Sequence, residues 1–186
     1  MSLSHAGLTR PAEKLPRLTL VLGGARSGKS RYAERLVEAA ACRGTYIATA
    51  EPGDAEMADR IAAHRTRRGP FWRTVEAPLL LAEAVGAVAR PDRPVLVDCL
   101  TLWLNNLMFN KRDVDGETLR LETALAARQA PTVLVSNEVG SGIVPDNAEA
   151  RRFRDLQGRL NQRIAARADR VVLLVAGLPM VVKGQP

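Results

Sequence analysis

Two short stretches of this chain carry side chains whose types and spacing could do chemistry. The first is GGARSGKS, Gly23–Ser30, which fits the pattern G-x-x-x-x-G-K-[ST]. Glycine lets a backbone curl until successive N–H groups face one phosphate chain. Gly23, Gly24, Ala25, Arg26, Ser27 and Gly28 would form that cradle. Lys29 would reach the β- and γ-phosphates, and Ser30 would hold Mg²⁺. The second stretch is ADRIAAHRTRRG, Ala58–Gly69, where His64 stands among Arg60, Arg65, Arg67 and Arg68. Nearby positive charge disfavours imidazolium, and a neutral imidazole is a nucleophile. The same arginines can neutralise a triphosphate and its departing pyrophosphate. An imidazole so placed is suited to attack an α-phosphate and form a phosphoramidate. Met57, Ile61 and His64 also share one helical face, so an inward-facing, hydrogen-bonded histidine is the competing reading.

Chemistry at such residues needs elements to position them. LTLVLGG is a short apolar run stopped by glycines, which reads as a buried strand. KSRYAERLVEAAA follows with helical spacing, so the phosphate-loop pattern lies between a strand and a helix, the context its mechanics require. GTYIATA, FWRTVEAP, RPVLVDCLT and PTVLVSNEVG read as further strands, and DRVVLLVAGLPMVVKG as one or two more. Helices are expected over DAEMADRIAAHRTRR, with Asp54 as its cap, and over LLLAEAVGAVA, LTLWLNNLMFN, GETLRLETALAARQ and AEARRFRDLQGRLNQRIAARA. Strands and helices alternate, and the strands are continuously apolar. That predicts an α/β fold, a mostly parallel sheet with helices on both faces.

Ligands in such folds bind at the carboxyl ends of the strands. This directs attention to Gly23–Ser30, Thr49–Glu51, Glu76, Asp98 and Asn137–Glu138. Asp98 ends VLVD, where an acid on the metal side of a nucleotide is expected; a helix cap or a surface acid is its plainer role. A nucleoside triphosphate ligand leaves hydrolysis, phosphoryl transfer and nucleotidyl transfer open, and a chain of this length suits a small-molecule kinase better than a motor.

The 186 residues suit one domain, 18–186, behind a leader at 1–17 that holds the other histidine, His5. Apolar residues make up 46% and aromatics only 4%, so the core must be aliphatic. A net charge of +7 points to an anionic partner. Aromatics are too few to stack bases, which argues against nucleic acid. Cys42 and Cys99 read as reduced, buried thiols of a cytoplasmic protein. No run is long enough for a membrane span.

The chain resembles the bifunctional adenosylcobinamide kinase/adenosylcobinamide-phosphate guanylyltransferase family of cobalamin biosynthesis. The resemblance runs from about Leu18 to Lys183 through GGARSGKS, YIATAE, EMADRIAAHRTRRG, WRTVEAP, VLVDCLT, SNEVGSGIVPDN and RFRDLQGRLNQRIAARAD. It implies a P-loop NTPase fold of RecA-like architecture and two reactions. A nucleoside triphosphate phosphorylates the aminopropanol hydroxyl of adenosylcobinamide. GTP then gives GMP to a histidine, which passes it to the new phosphate to form adenosylcobinamide-GDP. GTP and ATP are the implied substrates, with Mg²⁺. His64 matches the guanylylated histidine. Thr49, Ala50, Glu51, Arg65, Thr66, Arg67, Arg68, Glu76 and Asp98 match nucleotide-contacting positions beyond the loop, and Ser30 and Asp98 the metal side. The resemblance also implies a homotrimer.

Three readings stand side by side on the residues: this bifunctional enzyme, a simple kinase with a structural His64, and a nucleotide-gated basic module that binds nucleic acid or a protein, supported by the arginines of 151–170. Asn137 and Glu138 could line a corrinoid or base pocket, or belong to a structural loop. LTLWLNNLMFN is too apolar for one helical stripe, so it is either buried all round or meets another subunit, and an interface is expected near it.

Overall fold

The computed structural model describes residues 15–51, 69–88 and 90–185. His64, Arg65, Thr66, Arg67 and Arg68, and the helix expected to carry them, lie outside the described residues.

The chain opens with strand β1 (Leu18–Gly23), helix α1 (Lys29–Ala40) and strand β2 (Gly44–Ala48). Strand β3 (Trp72–Glu76), helix α2 (Leu81–Ala87) and strand β4 (Val95–Asp98) follow. Helices α3 (Leu100–Phe109) and α4 (Val114–Ala127) lead to strand β5 (Thr132–Asn137). Helix α5 (Ala148–Arg167) and the hairpin of β6 (Arg170–Val175) and β7 (Leu178–Lys183) complete it. The strands form one sheet in the order β3-β2-β4-β5-β1-β6-β7. Every pairing is parallel except β6 with β7.

Asp113 starts α4 by accepting from Gly116 N–H at 3.2 Å. Asn147 starts α5 by accepting from the Glu149 and Ala150 N–H groups. Such caps satisfy donors that a helix start leaves open.

Alternation along the strands divides the core between the two faces of the sheet. Leu134, Val95 and Val97 point to one face, where Leu81, Trp103, Leu104, Leu107, Leu121 and Ile164 of α2, α3, α4 and α5 meet them. Val133, Val135, Leu96 and Tyr46 point to the other, against Ala33 and Val37 of α1. The apolar excess of α3 is therefore used inside the chain: Leu100, Trp103, Leu104 and Leu107 are fully buried, and Phe109, at 85% exposure, is its one outlying large side chain. Packing starts ahead of β1, since Leu15 lies in the α1-side core. Arg17 and Arg128 each donate to the other's carbonyl oxygen.

The expectation of two buried thiols is corrected at one position. Cys99 is buried, but Cys42 is exposed, because it sits in the short connection where the chain leaves α1 and turns into β2.

Candidate active site

The phosphate loop occupies the turn from β1 into α1. Gly23 ends β1, and a Cβ there would run into the Ser27 hydroxyl and lie 2.8 Å from the Leu174 carbonyl oxygen. Gly28 adopts φ +91°, a left-handed conformation that glycine enters without a steric penalty. The loop closes on itself through Ser27 N–H to Gly24 O at 3.3 Å, and the Lys29 ammonium donates across it to the same carbonyl at 3.0 Å. Ser27 is buried, while Gly24, Ala25 and Arg26 are exposed. Ser30 is half-buried in the first turn of α1. The β6–β7 turn braces this loop from the far side, with Gly177 N–H donating to Ser27 O at 3.1 Å.

The strand order puts β5 between β1 and β4. Adjacent strands lie about 4.8 Å apart, so the loop strand and the Asp98 strand are about 10 Å apart. Asp98 is half-buried and accepts from the Tyr46 hydroxyl at 2.7 Å. Tyr46 lies in the α1-side core, so Asp98 and α1 share one face of the sheet. Burial pushes the pKa of Lys29 down, and the negative charge of Asp98 pushes against that shift. The Cys99 thiol is pushed up to about 11, by burial first and by Asp98 second, so it stays protonated.

Thr49 braces the site. Its hydroxyl donates to Cys99 O at 2.7 Å and accepts from Cys99 N–H at 2.8 Å, which ties the end of β2 to the residue after Asp98. Its carbonyl accepts from Asn106 of α3 at 2.8 Å. Ala50 is half-buried and Glu51 exposed just beyond it. Glu76 ends β3 beside Ala48 and is exposed. Thr49, Glu76, Asp98 and the phosphate loop are thus all at the carboxyl edge of one sheet.

Sequence patterning had no signal for the network behind that edge. Ser136 donates to Asn161 Oδ1 at 2.7 Å, Gln157 donates to both, and Asn161 donates to Asn137 O at 3.0 Å. Only the tertiary packing of α5 on β5 brings those polar residues together.

Among the described residues no cluster of three or more His, Cys, Asp or Glu side chains could hold a metal ion. The hydroxyl of Ser30, in the first turn of α1, and the carboxylate of Asp98, at the end of β4, are hard oxygen donors at the same edge of the sheet. That sparse set fits Mg²⁺, which takes one or two protein ligands and completes its shell with phosphate oxygens and waters.

Several arginines of α5 are held by the chain itself. Arg163 and Arg167 bond to Glu122, Arg151 bonds to the carbonyls of Pro145 and Asp146, and Arg154 forms a longer ion pair with Asp155.

A glycine-bearing loop between the first strand and its helix, an acid two strands away, and one strand interposed define a P-loop NTPase fold of RecA-like type. The RadB recombinase structure superposes with a TM-score of 0.52 at 16% identity, covering 86% of this chain and 75% of that one. The flagellar accessory protein FlaH of Methanocaldococcus jannaschii superposes with 0.53 at 12% identity, covering 92% and 80%.

Within that fold the chain belongs to the cobinamide kinase / cobinamide phosphate guanyltransferase family, whose model matches residues 19–182. A bifunctional adenosylcobalamin biosynthesis protein of Pseudomonas aeruginosa is 51% identical over 169 residues, covering 90% of this chain and 98% of that protein.

Proposed function

We propose that this enzyme phosphorylates the aminopropanol hydroxyl of adenosylcobinamide with ATP or GTP, and then transfers GMP from GTP through His64 to give adenosylcobinamide-GDP. The observation that carries the reading is the placement of Lys29, on the phosphate loop, and Asp98 on one face of one sheet edge. Family membership supplies the acceptor. Backbone N–H groups of Gly24–Gly28 and the start of α1 hold the phosphate chain. The Lys29 ammonium offsets charge that grows on the β–γ bridge as it breaks. Ser30 and Asp98 hold Mg²⁺, which when bound shields the phosphate oxygens.

In the second reaction the neutral imidazole of His64 forms a nitrogen–phosphorus bond to the α-phosphate, and pyrophosphate departs. Arg65, Arg67 and Arg68 neutralise that leaving group, and Thr66 lies within the same nucleotide-contacting stretch. The phosphate oxygen of adenosylcobinamide phosphate then displaces the imidazole. Strand-end positions Thr49, Ala50, Glu51 and Glu76 are read as shaping the nucleotide side of the site, with Thr49 acting through its hold on Cys99.

One gel tests the histidine. Wild type incubated with α-labelled GTP takes up one acid-labile, base-stable label, and His64→Asn takes up none while keeping at least part of its kinase rate. Equal labelling of the variant would move the nucleophile elsewhere, and an unlabelled wild type would leave a simple kinase.

The same reading includes a homotrimer in the cytoplasm. Among the described residues no helix is long and apolar enough to cross a membrane. The exposed apolar side chains of the β6–β7 hairpin, Val175, Leu178, Met180 and Val182, offer an assembly surface. Light scattering at micromolar concentration should give three chain masses, and one chain mass would exclude it.

A further inference from the structure

Asn137 is a polar residue at this edge for which neither the fold nor the reading above has a use. It ends β5, the strand between the phosphate-loop strand and the Asp98 strand, and its Cα partner on β1 is Gly23. Its direction follows from the pleat. Val133 and Val135 point to the α1 face, and Leu134 to the other. Ser136 follows Leu134, into Gln157 and Asn161 of α5. Asn137 therefore follows Val133 and Val135 to the face shared by α1 and Asp98.

The main chain there is pinned on both sides. Asn137 N–H donates to Thr101 Oγ1 at 2.8 Å, and Asn137 O accepts from Asn161 at 3.0 Å. The next residue donates from Glu138 N–H to Gly23 O at 3.1 Å, at the root of the phosphate loop. The backbone is thus held rigidly, yet the side-chain oxygen is buried and has no partner among the described residues. A buried acceptor left unpaired is costly, and such an atom in a native site calls for a ligand donor.

We propose that the Asn137 carboxamide is a catalytic residue of the kinase step: Oδ1 accepts a hydrogen bond from the attacking hydroxyl and holds it in line with the γ-phosphorus. This rests on the phosphoryl-transfer reading and adds the group that positions its nucleophile. The hydroxyl oxygen forms the new bond to γ-phosphorus, and the bond from that phosphorus to the β–γ bridging oxygen breaks. The nucleoside diphosphate leaves with the electron pair. The hydroxyl proton passes late to an oxygen of the transferred phosphoryl group and then to solvent. An amide takes no proton, and the loose transition state of this reaction asks for aim more than for a strong base.

The test compares wild type, Asn137→Leu and Asn137→Ala in three measurements: kcat for adenosylcobinamide phosphorylation, the Kd of a fluorescent ATP analogue with Mg²⁺, and Tm. The expected kcat falls about 10²-fold, as when one oriented polar contact to the reacting centre is lost. Nucleotide Kd stays within about threefold. The Tm of Asn137→Leu stays level or rises, because removing an unpaired buried acceptor costs the folded state nothing. A structural asparagine would do the reverse, so a lowered Tm in both variants, or a kcat within about threefold of wild type, overturns the proposal. ATP hydrolysis with water as acceptor is measured alongside. If wild type does not phosphorylate adenosylcobinamide, the functional reading falls, and the same loss in hydrolysis still decides the role of Asn137.

Discussion

The two faces of the sheet are built differently. Among the described residues, four helices cover one face and α1 alone covers the other. The thick face buries Trp103 and a set of leucines, and its buried polar groups, among them Asn106, Ser136, Gln157, Asn161 and Glu122, are paired within the chain. The thin face carries Tyr46, Asp98, Lys29 and Asn137 at its carboxyl end. The larger apolar cluster and the candidate site thus fall on opposite sides of one backbone. A polar, partly desolvated site needs room for a ligand, whereas a close-packed layer has none.

That contrast breaks most directly on Trp103. The indole is fully buried on the thick face and donates to Leu79 O at 3.0 Å. Trp103→Ala should cost about 3–5 kcal/mol in urea unfolding. A loss below about 1 kcal/mol would mean that the thick face does not carry the fold. Lys29→Ala is the mirror test on the thin face. It should lower phosphorylation of adenosylcobinamide about 10²–10³-fold while the urea midpoint stays near wild type. Normal turnover in that variant would remove Lys29 from the reaction.

A smaller effect sharpens the contrast at the outer layer of the thick face. The carboxylate of Glu122 is buried between α4 and α5 and accepts from Arg163 at 2.8 and 2.9 Å and from Arg167 at 3.2 Å. The two bonds from Arg163, and then the one from Arg167, hold its pKa below the usual carboxylate range against the opposing effect of burial. A carboxyl depressed in the folded state contributes stability above its unfolded pKa and loses it as pH falls through the folded value. Glu122→Gln should therefore cost about 1.5–3 kcal/mol at pH 7, and the gap in Tm to wild type should close below about pH 4. A gap that stays constant down to pH 3 would show that packing alone is at work.

The phosphate loop was legible because its geometry leaves marks on residue types: glycine at Gly23 and Gly28, lysine and serine directly after, a strand before and a helix behind. Alternation of apolar strands with helices gave the parallel sheet and most element boundaries. Strand order was not legible, since β5 reaches its place between β1 and β4 through contacts far apart in sequence. For the same reason Asn137 could be placed at a strand end but not on a face. Thr49 could be marked as a site position, but its grip on Cys99 depends on how β2 and β4 pair. Cys42 illustrates the converse: composition says where cysteines usually lie, and a turn decided otherwise. The chemistry of His64 rests on its arginine neighbours and on family membership.

The order of the sheet also sets a schedule. β1 leaves the ribosome well before its partners, β5 and β6. Domains form during synthesis only as fast as their pairing segments emerge, and pairings distant in sequence come late. The strand that ends in the phosphate loop therefore waits, unpaired, for Thr132 and then for Arg170. The turn that braces Ser27 through Gly177 arrives later still. A nascent chain stopped before β6 would contain every residue of the phosphate loop but only one of the two strands that flank β1. A chain stopped there should therefore bind nucleotide more weakly than one that includes β6 and β7.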